Sequence, residues 1–66
     1  MQESLHNCIY DLRSKAGMTQ EELGQKVGVT RQTIIAMEKG NYTPSVLLAL
    51  KLAKVFKQPV EKIFYS

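Results

Sequence analysis

Residues Thr19 to Lys39, TQEELGQKVGVTRQTIIAMEK, contain two helix-start signals on either side of one glycine turn. Thr19 with Glu22 three positions later is a capping box: the hydroxyl and the carboxylate each take up a backbone N–H that the first helical turn leaves without an intrahelical acceptor. The helix opened there is expected over 20–27. Gly28 supplies the positive φ that closes it, and Thr30 caps another helix, expected over 31–39, only two residues further on. Two short helices with so brief a join must cross at a steep angle.

Outward from this pair the same signals predict three more helices. Asn7 is expected to cap a first helix over about 7–16, with Ile9, Leu12 and Ala16 as its buried stripe and Gly17 closing it. Leu23 and Val27 face inward from the second helix, and Ile34 and Met37 from the third, which Gly40 ends. Asn41, Tyr42 and Thr43 form a loop. Pro44 suits the first turn of a fourth helix over 45–56, because proline there forfeits no intrahelical bond, and Val46, Ala49, Leu50, Ala53 and Phe56 are its expected core face. Pro59 starts a last short helix, 59–63, carrying Val60 and Ile63. The expectation is an all-α, five-helix single domain over 1–66, without linker or repeat.

Sixty-six residues stand near the lower limit for a core made without disulfides or metal, and the 44% hydrophobic content suffices for one. Nine Lys or Arg against six Asp or Glu gives +3. The surplus lies in residues 34–66, where five lysines face Glu38 and Glu61; it suits a polyanion without proving one. The lone Cys8 has no disulfide partner in the chain, and His6, the one histidine, is too little to complete a structural zinc site with it. The segment MQESLHNCIYDLR lacks the apolar run of a signal peptide, and no stretch approaches the roughly 20 apolar residues of a membrane span; a cytoplasmic location is expected. The carboxylates are scattered over helical surface positions, so no catalytic constellation and no cofactor are expected.

The stretch Val29 to Ser45, VTRQTIIAMEKGNYTPS, is similar to the Cro and phage-repressor type of helix-turn-helix regulator, and the likeness runs from about Asn7 to Phe64. The resemblance implies transcriptional regulation, usually repression, by a homodimer that binds a two-fold site on double-stranded DNA. It also implies residue roles. Gln20 matches a glutamine whose side chain and backbone N–H meet a phosphate at a helix N-terminus. Thr30, Arg31, Gln32 and Thr33 open the recognition helix, where Arg31 suits guanine O6 and N7 and Gln32 suits adenine N6 and N7. Lys39, Asn41 and Tyr42 fall in the loop that lies on the sugar-phosphate backbone, although Asn41 is equally a turn former. Arg13 and Glu38 match a structural ion pair between the first helix and the recognition helix, a guanidinium fork on a carboxylate.

Departures from the family pattern carry what is particular to this chain. Ile35 replaces a usual polar residue on the side expected to face DNA or solvent, where a thymine methyl would suit it as well as bare water would. Ala36 beside it has no hydrogen-bonding group, so few direct base contacts are expected. Leu47 and Leu48 make the fourth helix apolar nearly all round; with Phe64 and Tyr65 they are the expected dimer interface, though Tyr65 suits a fold back on its own core equally. Cys8 stands where a basic residue is common. The competing reading is an antitoxin-like protein-interaction module that binds DNA weakly. Such a module would need neither Gln20 nor the polar Arg31-Gln32-Thr33 cluster. No membrane association and no small-molecule ligand are inferred.

Overall fold

The computed structural model describes residues 4–66. In chain order the elements are β1 (His6–Asn7), α1 (Ile9–Lys15), α2 (Gln20–Val27), α3 (Arg31–Glu38), α4 (Val46–Phe56), α5 (Val60–Ile63) and β2 (Phe64–Tyr65). The protein is helix-dominated, with a two-stranded antiparallel sheet added where the chain ends meet: His6 pairs with Tyr65 and Asn7 with Phe64. That sheet is a correction to the all-α expectation. Strands of two residues show no alternation in sequence, so no periodicity announces them.

The caps of α2 and α3 set the central geometry. Thr19 Oγ1 accepts the Glu22 N–H at 3.0 Å while Glu22 Oε1 accepts the Thr19 N–H at 2.8 Å. Gly28 takes the left-handed conformation at φ 77, and Thr30 Oγ1 accepts the Thr33 N–H to open α3. Gly24, inside α2, faces the turn so closely that a Cβ there would stand 2.7 Å from the Val29 carbonyl oxygen. Any larger residue must push the turn, and with it α3, away from α2. The sequence reading passed over this glycine.

The core unites every helix: Ile9, Leu23, Val27, Ile34, Met37, Leu48, Ala49, Leu52, Ile63 and the strand residue Phe64. Several expectations are corrected here. Helix α1 begins at Ile9, because pairing with β2 keeps Asn7 extended; the Asn7 side chain still accepts the Ile9 N–H at 3.1 Å, from one residue before the N-cap position at Cys8. Ala16 is exposed, beyond the last turn of α1. At α4 the cap is Ser45, whose Oγ accepts the Leu48 N–H at 3.1 Å, so Pro44 precedes the cap instead of filling the first turn. The buried face of α4 is Leu48, Ala49 and Leu52, while Val46 and Leu50, expected inside, are 78% and 55% exposed. Position after position of VLLAL is apolar, and such a run admits more than one helical register. Lys51 and Lys54 share a stripe with Leu47 and Leu50 and mark it as the solvent side.

Candidate nucleic-acid interface

At the N-terminal end of α3, Arg31 and Gln32 are exposed, and Thr33 is half-buried. Thr30 and Thr33 hydroxyls lie 3.1 Å apart, so the first turn is locked by its own side chains while Arg31 and Gln32 project from it. Ile35 and Ala36, one turn on, are half-buried. Ile35 is therefore partly covered within the protein itself. Lys39, Asn41 and Tyr42 are exposed beyond the other end of α3. The structure thus separates the sequence-assigned DNA residues into a group at the start of α3 and a group after its end.

Between those groups lies a hydrogen-bond junction. Glu38 accepts from Arg13 Nε at 2.6 Å and Nη2 at 3.2 Å, the two-pronged arrangement of a guanidinium on a carboxylate. Arg13 Nη1 donates to the Met18 carbonyl at 2.9 Å, and the guanidinium sits 5.3 Å from the Tyr10 ring centroid. The two side chains are 12% and 8% exposed. The bond to Glu38 raises the pKa of Arg13 above its ordinary value, so the pair stays ionised wherever Glu38 is a carboxylate.

Gln20 is part of this junction. Its Nε2 donates to Glu38 Oε1 at 3.1 Å, and since an ionised carboxylate can only accept, the amide nitrogen must face it. The side chain expected on a phosphate thus spends one amide hydrogen on Glu38 in the free protein; the amide has a second hydrogen to donate, and the Gln20 backbone N–H stands in the first turn of α2. Sequence reasoning missed Gly24, at the turn before α3, and gave Asn7 only the role of a cap. Gly24 sets the approach of the turn. Asn7 Nδ2 donates to the Met37 carbonyl at 2.8 Å, one residue before Glu38.

The residues assigned to a dimer interface do not stay together. Leu48 and Phe64 are 5% and 7% exposed and belong to the core. Leu47 remains 62% exposed and Tyr65 49%, with the Tyr65 ring stacked on His6 at 6.0 Å between centroids. An exposed aliphatic stripe runs along the first turns of α4 through Val46, Leu47 and Leu50. Cys8 is half-buried, its Sγ–H donating to the Lys62 carbonyl at 3.2 Å. Among the described residues no group of His, Cys, Asp and Glu is placed to hold a metal ion, and no helix is long and apolar enough to cross a membrane.

Comparison with known proteins finds matches over most of the chain. The helix-turn-helix family model HTH_3 matches residues 9–63. An HTH-type transcriptional regulator of Bacillus subtilis (strain 168), YgzD, is 51% identical over 61 residues, 92% of each chain. An HTH-type transcriptional regulator of Archaeoglobus fulgidus is 55% identical over 56 residues, 85% of this chain and 80% of that one. The cryptic phage CTXphi transcriptional repressor RstR of Vibrio cholerae is 36% identical over 55 residues, 83% of this chain and half of the repressor.

Proposed function

The chain belongs to the helix-turn-helix family HTH_3, whose members related to it are transcriptional regulators, and from that premise we propose that it represses transcription by binding a two-fold site in double-stranded DNA as a homodimer. In this reading α3 enters the major groove with its N-terminal turn toward the bases. Arg31 pairs with guanine and Gln32 with adenine as two-pronged contacts. Thr30 and Thr33 hold that turn in shape, and the half-covered Ile35 and Ala36 contribute little beyond contact with a thymine methyl. Lys39, Asn41, Tyr42 and the Gln20 backbone N–H meet phosphates and fix the register without reading sequence.

The observation that carries the proposal is the asymmetry of α3: two exposed polar side chains, of types that suit base edges, at one end, and a nearly buried ionic junction at the other. A module made only to bind protein needs no such reading turn. The repressor named among the relatives supports the sign of regulation. One α3 supplies too few contacts for the ~10⁻⁸ M affinity of specific regulators, whereas two copies about 34 Å apart double them on one face of the duplex. Val46, Leu47 and Leu50 are the surface proposed to join the copies.

Selection of bound duplexes from a random pool tests this reading. The expected product is an inverted repeat with half-sites one helical turn apart, bound more tightly than random duplex at both low and moderate salt. Enrichment of no sequence would refute specific binding, and enrichment of a single unrepeated half-site would refute the dimer.

A further inference from the structure

Residues Leu5 to Cys8 lie between the C-terminal end of α3 and the far end of the chain. Cys8 donates through its N–H to the Ile63 carbonyl at 3.0 Å and through Sγ to the Lys62 carbonyl. Asn7 is paired with Phe64, and the Leu5 carbonyl oxygen stands 4.0 Å from where a Cβ on Gly40 would be. From this wedge the half-buried Asn7 sends both halves of its amide to helices: Oδ1 accepts from Ile9 N–H at the start of α1, and Nδ2 donates to the Met37 carbonyl near the end of α3.

The second bond is not the rescue of an orphaned carbonyl. Met37 oxygen already accepts the Gly40 N–H at 3.0 Å, so the Asn7 bond is surplus to satisfying the helix end. What it adds is a fixed relation between two helices. Arg13 holds Glu38 from the last turn of α1, and Asn7 holds Met37 from just before its first turn. Helix α3 is thus clamped at two adjacent residues, by Asn7 from β1 and by Arg13 from the last turn of α1. Eight residues make it about 12 Å long, so a tilt of ~5° about the clamp carries the backbone at Arg31 through roughly 1 Å, beyond the tolerance of a two-pronged base contact.

We propose that Asn7 is a positioning residue for base reading: its amide sets the tilt of α3 and, through β1, makes that tilt depend on the pairing of the chain ends. The inference rests on the DNA-reading role proposed for α3. It goes beyond that role by placing a determinant of specificity in a strand outside the residues assigned to DNA.

Two variants separate the two halves of the amide. Asn7→Asp keeps an acceptor for Ile9 N–H and sets an oxygen against the Met37 carbonyl; Asn7→Ser keeps a short acceptor and cannot reach Met37. On the duplex selected by the parent protein, each is expected to lose about tenfold or more in affinity while binding to random duplex stays within about twofold. Backbone N–H dipolar couplings should show α3 rotated relative to α1. A folded variant with the parental ratio of selected to random affinity and the parental helix orientation overturns the proposal. If the parent selects no duplex, the DNA-reading role itself fails, and the couplings decide on Asn7 alone: parental orientation in a folded variant overturns the clamp, and rotation upholds it. If neither variant folds, the side-chain amide protons of Asn7 in the parent decide. Slow exchange with solvent supports the clamp, and exchange at the rate of an exposed amide overturns it.

Discussion

The two ends of α3 lie within one eight-residue helix and have opposite surroundings. Around Met37 and Glu38, side chains from three other places in the chain converge: Arg13 from α1, Gln20 from α2 and Asn7 from β1. Around Arg31 and Gln32 the structure leaves exposed side chains on a turn that Thr30 and Thr33 stiffen. A helix that reads a partner needs its direction set by its own protein and its contacting groups left uncommitted. Here the two requirements are met at different ends, and the separation makes them testable separately.

The largest expected effect is at the held end. Glu38→Ala strands the nearly buried Arg13 guanidinium and frees Gln20, and should cost about 3 kcal/mol of folding stability. Thermal melting checks the stability, and duplex titration should show weaker operator binding even though Glu38 touches no base. Unchanged melting would mean that the junction does not hold the helix. At the free end the pattern reverses: Arg31→Ala or Gln32→Ala should leave melting within about 0.5 kcal/mol and cost ~1–3 kcal/mol on the selected site. For Gln32→Ala, binding to random duplex should be nearly unchanged; equal losses on both duplexes would turn the reading end into another phosphate contact.

The comparison extends to two copies if the stripe on α4 joins them. Leu47→Lys places a charge on a residue that is already 62% exposed, so the monomer fold should survive within about 0.5 kcal/mol. Sedimentation should shift toward monomer, and binding to the full inverted repeat should fail at low protein concentration. A dimer that persists with parental affinity would move the interface elsewhere.

A smaller effect is expected at the start of α2, next to the junction. The Thr19 backbone N–H and then the Thr19 side chain hold the Glu22 carboxyl below its ordinary value of 4.5, with a lesser pull from Lys26. A carboxyl lowered by folding stabilises the fold fully above its unfolded value and loses that contribution as pH falls through the lower, folded value. Melting of the parent between neutral pH and about pH 3 should therefore show an acid-side loss that is reduced in Glu22→Gln. Identical acid profiles would remove the capping box as a contributor.

What could be read from sequence follows from how local each signal is. The boundaries of α2 and α3 were legible because Thr19, Glu22, Gly28 and Thr30 act within a few residues of themselves. The inward face of α4 was read correctly at Ala49, Ala53 and Phe56 and misread at Val46 and Leu50, because VLLAL carries no period; Lys51 and Lys54, three apart on one stripe, held the missing information. Leu48 and Phe64 looked like surplus apolar surface only until the core claimed them. The β1–β2 pair and the Asn7 bond to Met37 join residues far apart in sequence, and a two-residue strand has no pattern to detect. Gln20 shows a subtler limit. A glutamine at a helix start fits both a phosphate and a carboxylate, and only the position of Glu38 beside Arg13 shows which acceptor it meets in the free protein.

The most direct test of the division of α3 is a titration of the ¹⁵N-labelled protein with the selected duplex, followed by amide chemical shifts. Large changes are expected from Thr30 to Thr33, at Gln20 and from Lys39 to Tyr42, with Met37 and the Arg13, Gln20 and Glu38 side-chain junction retaining their bonds. Changes centred on Val46 to Leu50, with Arg31 and Gln32 unmoved, would contradict the assignment of the reading end.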